Sequence, residues 1–161
     1  EITGTIYVHG DITLGNGAEV FLDPAYGATS GVIVNDGKIT PSNNVIICGS
    51  YYDRVANTCV VQDPGNPGNY SFILALSNNT SQDILNPSVR VSNNVNGVIL
   101  YAPYGTIALS NNARVNEAVA HKLSLENNAV VDYDNGLANA NFVSGPGASL
   151  SIKPGSWHII D

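Results

Sequence analysis

Gly4-Thr5-Ile6-Tyr7-Val8-His9-Gly10-Asp11-Ile12-Thr13-Leu14 returns 27 residues later as Gly31-Val32-Ile33-Val34-Asn35-Asp36-Gly37-Lys38-Ile39-Thr40-Pro41. Both glycines, both core isoleucines and the threonine recur. A second signature, an alternating apolar triplet followed by an Asn-rich corner, recurs more often. Its copies are Ile12-Thr13-Leu14-Gly15-Asn16-Gly17, Ile39-Thr40-Pro41-Ser42-Asn43-Asn44, Val89-Arg90-Val91-Ser92-Asn93-Asn94, Ile107-Ala108-Leu109-Ser110-Asn111-Asn112 and Leu123-Ser124-Leu125-Glu126-Asn127-Asn128. The last three start 18 and then 16 residues apart.

Alternation with period two is the pattern of a strand with one buried face. It predicts an inward stack of Ile12, Ile39, Val89, Ile107 and Leu123, with Leu14, Val91, Leu109 and Leu125 beside them. Asp11, Lys38, Arg90 and Lys122 are expected to point outward. Asn suits the corners because it tolerates positive φ and can hydrogen-bond to its counterpart in the next repeat. A unit this short and irregular fits neither a propeller blade nor a hexapeptide helix. The expected fold is all-β, a single-stranded parallel β-solenoid with irregular inserted loops and a C-terminal cap. An ordinary β-sandwich is the alternative, but its strands, at a spacing of about 8–12 residues, would carry no recurring corner signature.

We expect one domain over residues 1–161, with insertions at about 20–30 and 48–69 and a cap at about 138–161. The chain opens strand-like at Glu1, which leads us to expect a targeting segment upstream. The 13 acidic residues outnumber 6 Lys and Arg, giving a formal charge of −7, and the basic residues are scattered. A phosphate backbone or an anionic lipid surface wants clustered cations, so neither nucleic acid nor membrane contact is expected.

Cys48 and Cys59 bracket a polar, Tyr-rich loop. Their closeness suggests a local disulfide and an extracellular setting, buried free thiols being the alternative. Zinc is set aside for want of ligands, because His9, His121 and His158 lie far apart in sequence. No cofactor is expected.

Catalysis is tested against the carboxylates. A glycoside hydrolase needs two facing carboxylates, and a lyase needs a calcium-binding cluster near a base. Asp11, Asp36, Asp132 and Asp134, with Lys38 and Lys122, are the candidates, and a solvated outer face is the blander reading we adopt. No nucleophile-elbow or phosphate-loop motif is present. No catalytic residue is therefore assigned. Asp132-Tyr133-Asp134-Asn135-Gly136 resembles the start of a calcium loop, and Asp132 and Asp134 are a weak calcium candidate against a plain turn. The better surface lead is aromatic. Tyr51, Tyr52, Tyr101, Tyr104 and Trp157 are candidate binding residues, since exposed Tyr and Trp give rigid, amphipathic contact area. Packing of Tyr101 and Trp157 against a cap is the competing reading.

Asn96-Gly97-Val98-Ile99-Leu100-Tyr101-Ala102-Pro103-Tyr104-Gly105-Thr106-Ile107, the Leu-Ser-Asn-Asn and Leu-Glu-Asn-Asn corners after it, Val131-Asp132-Tyr133-Asp134 and Trp157 resemble the C-terminal domain of PilX-type type IV pilus assembly proteins. A more distant resemblance is to tāpirins, cellulose-binding surface adhesins with a β-helical core. The resemblance implies a non-catalytic extracellular head, displayed on a pilus or cell surface. Its partners would be other pilus or surface subunits, or a polysaccharide surface. A carbohydrate-binding adhesin is the alternative function, and a polysaccharide-active enzyme comes third.

Overall fold

The computed structural model describes residues 1–56, 58–93, 95 and 98–145. The chain is all-β and β-helix-like, and its main sheet is entirely parallel. The first circuit of chain contains β1 (Ile6–Val8), β2 (Ile12–Leu14) and β3 (Glu19–Phe21). The second contains β4 (Gly31–Asn35), β5 (Ile39–Pro41) and β6 (Ile46–Cys48). After a long excursion carrying the short strands β7 (Tyr52–Asp53) and β8 (Thr58–Cys59), the circuits resume with β9 (Ile73–Ser77) and β10 (Val89–Val91). Then come β11 (Ile99–Leu109) with β12 (Arg114–Val115), and β13 (Glu117–Leu125) with β14 (Val130–Val131).

Each strand pairs with its counterpart one circuit on. The first wall runs β1-β4-β9-β11-β13, and the second runs β2-β5-β10-β11-β13. β11 and β13 are long enough to turn the corner and serve both walls. The third wall is represented by the pairs β3-β6 and β12-β14.

The sequence repeats are the pairing registers. Ile12 pairs with Ile39, Val89 with Ile107, and Ile107 with Leu123. The shortening from 18 to 16 has a local cause. Pro103, Tyr104 and Gly105 bulge between Ala102 and Thr106 of β11, whereas β13 crosses the same corner with His121 alone. Gly105 is required there, because a Cβ would collide with Ser88 Oγ.

The Asn corners take the geometry their residue type suggests. Asn44, Asn93, Asn111, Asn112, Asn127 and Asn128 all have φ between 48° and 63°. Asn93 Nδ2 donates to Asn43 Oδ1 at 2.6 Å, and Asn127 Nδ2 to Asn111 Oδ1 at 3.1 Å. Backbone bonds between corners, Asn44 N to Asn93 O and Asn112 N to Asn127 O, supplement these side-chain rungs.

Ile39, Val89, Val91, Ile107 and Leu109 are buried in one core with Ile73, Leu100, Val45 and Val115. Two expectations need correction. Leu123 and Leu125 hold their predicted register but are 43% and 50% exposed. They belong to the terminal circuit, and among the described residues no strand pairs with the outer edge of β13. Ile12 and Leu14, in the first circuit, are half-buried for the same reason. The region expected as an insertion at 20–30 also starts too early. Val20 and Phe21 belong to β3, and only then does the chain leave for a short 3-10 helix, Pro24–Tyr26, whose Tyr26 is buried.

A further departure, from Asn78 to Pro87, was not anticipated. It covers the second wall, where Thr106 N donates to Ser81 O and Arg90 Nη2 to Leu85 O. Arg90 is therefore outward, as expected, but is held by carbonyls of this loop. Of the expected cap, residues 138–145 are described: Phe142 bridges Ser30 in parallel and Val143 joins the buried core. Residues 146–161, including Trp157 and His158, lie outside the described residues.

Candidate functional site

The excursion that leaves β6 and returns before β9 is the candidate site. Cys48 ends β6 facing outward, in register with Phe21, and is bonded to Cys59 across a Cα–Cα distance of 5.6 Å. That bond pins an antiparallel β7-β8 hairpin against the third wall. Asp53 Oδ1 shapes the hairpin tip by accepting from the amides of Val55 and Ala56. Asp63 Oδ1 does the same for Gly65 in the second turn. Ser71 Oγ donates to Thr29 O and accepts from the Ser50 amide, which holds the two ends of the excursion together.

Tyr51 and Tyr52 come together here. With Ser50, Asp53, Val60 and Pro64 they line an open cleft of about 350 Å³. Burial pushes the Tyr51 hydroxyl above the usual phenol range, helped by its hydrogen bond to Asp63 and that carboxylate's charge. Tyr52 is raised too, chiefly by burial and then by Glu19, with Arg54 opposing. Both are therefore neutral phenols near pH 7, able to donate as well as accept. Tyr52 packs on Phe21 with ring centroids 4.9 Å apart, and the Arg54 guanidinium lies over both rings, 5.7 and 5.8 Å from their centres. Arg54 also reaches Glu19 at 3.8 Å. The result is an amphipathic platform of two aromatic rings and a cation.

The other side of the hairpin forms a polar cleft of about 240 Å³ against the last two circuits. Thr58, Cys59 and Val61 face Arg114, Asn116, Asp132 and Asp134 across it. Arg114 Nη1 donates to Asp132 Oδ2 at 2.8 Å. Asn116 Oδ1 is buried without a partner in the protein.

The remaining expected residues lie elsewhere. Tyr101 stands on the outer face of the first wall, between Leu76 and Val119 in register, and Tyr104 projects from the β11 bulge. Neither joins Tyr51 and Tyr52. Asp132 is engaged by Arg114, and Asp134 Oδ1 accepts from the Gly136 amide, capping a 3-10 helix at Asn135–Asn139. That is the plain-turn alternative to the calcium reading. Asp36 sits at the first corner. It accepts from the Gly10 amide at 2.6 Å and lies 2.6 Å from His9 Nδ1. Those bonds, the Gly10 amide foremost, hold its carboxyl below the usual range. Asp11 accepts from the Lys38 amide at 2.8 Å.

Compared with known proteins, the chain matches no family model, no curated protein and no solved structure.

Sequence reasoning missed Phe21, Arg54, Arg114 and Asn116. Arg54 was within reach, being the one cation of the excursion and two residues from Tyr52. The other three enter only through contacts between circuits distant in sequence.

Proposed function

We propose that this chain is a single-stranded parallel β-solenoid acting as a non-catalytic, extracellular head domain of a pilus-associated or cell-surface protein. The observation that carries the reading is the division of labour among its polar groups. Asp11, Asp36, Asp132 and Asp134, the acids that could serve chemistry, are held by backbone amides, an arginine or, at Asp36, also by His9. Recognition-type side chains instead sit on an excursion locked by a disulfide to a stack of paired strands, where loops on rigid scaffolds carry binding. A disulfide fits an oxidising compartment. The resemblance to PilX-type heads supports the pilus setting.

The second reading, a carbohydrate-binding adhesin, is favoured by the Tyr52, Phe21 and Arg54 platform and by the polar cleft on the other side of the hairpin. Aromatic faces stack on sugar rings, while Arg, Asn and Asp satisfy hydroxyls. One experiment separates the readings. The protein is incubated with a panel of insoluble polysaccharides, and both retention and release of reducing sugar are measured. Retention that Tyr51→Ala with Tyr52→Ala lowers at least tenfold selects the adhesin. Absence of retention, with cross-linking on intact cells to filament or surface subunits, selects the structural head. Steady sugar release that disappears in Asp36→Asn would overturn both.

A further inference from the structure

Two clefts at the excursion share a wall. The cleft of about 350 Å³ that holds Tyr51, Asp53, Val60 and Pro64 is also lined by Ser50 and Tyr52. Ser50 and Tyr52 in turn line a second cleft of about 150 Å³, together with Phe21, Leu22, Pro24 and Arg54. Tyr52 is therefore a partition between two adjoining hollows. The partition is braced. Its ring packs on Phe21 of β3, the Ser50 amide donates to Ser71 Oγ at 2.9 Å, and the Cys48–Cys59 bond holds the hairpin that carries it. A ligand meets the two hollows at a set spacing.

Their linings suit a hydroxyl-rich ligand. Ser50, Tyr51 and Tyr52 carry hydroxyls that both donate and accept, Arg54 donates, and Asp53 accepts. Leu22, Pro24, Val60 and Pro64 supply apolar ground between these polar points, the usual mixture in a small-ligand site. The charge is one-sided. Asp53 lines the first hollow and Glu1 the second, Asp63 is hydrogen-bonded to Tyr51, and Glu19 lies 3.8 Å from Arg54. Four carboxylates thus surround a single guanidinium, and a polyanion approaching them is repelled.

We propose that the two hollows are neighbouring subsites for an uncharged polysaccharide chain, laid across Tyr52 with a sugar unit on either side. The proposal rests on the adhesin reading and adds to it the length of ligand recognised, its charge class and the residue at its centre. A single sugar fills one hollow and leaves the other to water. A chain fills both, and its second contact is made at the high effective concentration of a linked unit, so affinity rises with length without any new kind of contact.

The test is titration of the full chain, followed by backbone amide NMR. The probes are gluco-, manno- and xylo-oligosaccharides of increasing length, galacturonate and mannuronate oligomers of matched length, and a lysine-rich peptide. At least one neutral series should gain tenfold or more in affinity between one unit and three. Its trimer should shift the amides of Asp53 and Val60 at the first hollow and of Leu22 and Gly49 at the second. The uronates should bind at least tenfold more weakly at low salt and recover as salt screens the carboxylates. Tyr52→Ala should abolish the gain with length, and Tyr104→Ala, on the β11 bulge, should leave it unchanged. Because Tyr52→Ala could loosen the hairpin, the shifts in the unaltered chain decide independently. Equal affinity for monomer and trimer, shifts confined to one hollow or centred on Arg114 and Asn116, or uronates held as tightly as neutral chains would each overturn the two subsites while leaving an adhesin. Retention on an insoluble polysaccharide with none of these shifts would do the same. No retention and no shift with any sugar would overturn the adhesin reading itself, and shifts at these amides with the peptide alone would assign the groove to a basic protein segment instead.

Discussion

Truncating the inward row at two heights of the stack measures how far the core extends. Ile107 and Leu123 are direct register partners, yet Ile107 is 0% exposed and Leu123 43%. Replacing either by Ala removes about three methylene equivalents, worth ~2.4 kcal/mol of transfer free energy if all were buried. At Ile107 the whole amount is lost. A closed cavity adds to it, because Val89 below and Leu123 above are pinned by their own ladders and cannot move in. The total should fall at about 3–4 kcal/mol, inside the range for buried Ile→Ala. At Leu123 a little over half the side chain is buried, so the transfer loss drops to ~1.4 kcal/mol, and water fills the space without a cavity cost. The predicted difference is therefore about 2 kcal/mol, read from urea midpoints of the two variants at unchanged slope. Equal costs would refute the reasoning, and so would a loss below ~1 kcal/mol at Ile107. The first would mean that something covers the last circuit in solution, the second that the inward row is misassigned.

Free-thiol titration of the unfolded, unreduced protein should find no thiol, since Cys48 and Cys59 are bonded. Replacing both by Ser should cost roughly 3 kcal/mol by loop entropy, seen as a lower urea midpoint, and two titratable thiols in the unreduced protein would exclude the bond. The carboxyl of Asp36 is held below its usual range, so its stabilising effect is complete above the unfolded carboxylate range near pH ~4 and is lost as pH falls through the lower folded value. Stability measured between pH 6 and pH 2 should therefore decline less steeply in Asp36→Asn than in the parent, and identical profiles would show that Gly10 and His9 do not favour the charged form.

The two walls with a readable period were legible, and the third was not. Ile12, Ile39, Val89, Ile107 and Leu123 sit where their alternation puts them, and the Asn corners adopt the positive φ that explains their composition. The third wall rests on stretches such as Arg114–Val115 and Val130–Val131, two residues each, too short for alternation to register. Burial along a row was only partly legible, because Leu123 carries the same signature as Ile107 and nothing local marks its circuit as terminal. At the candidate site, Tyr51, Tyr52 and the disulfide could be read from one loop. Phe21 and Arg114 could not, since they reach the excursion only once the first and fourth circuits are stacked against it.

The polar side chains buried at the corners explain why so charge-poor a chain holds a single register. A one-residue slip in any circuit would turn its apolar row outward. It would also strand groups with fixed partners: Asn35 Nδ2, which donates to Gly10 O and Lys38 O, and Ser77 Oγ, which donates to Gly37 O at 2.7 Å. Both side chains are fully buried, so each lost bond exposes a polar atom to an apolar interior at a cost of about 1–3 kcal/mol. Gly37 adds a steric condition, because any side chain there would meet the Gly10 backbone of the circuit before it. Apolar rows supply the bulk of the stability, while these corners penalise every register but one. The excursion benefits, since Phe21, Cys48 and Arg114 come from three different circuits and meet β7 and β8 only when all three keep their offsets. Precision at the candidate site is thus set by the corners, at positions that line neither of its clefts.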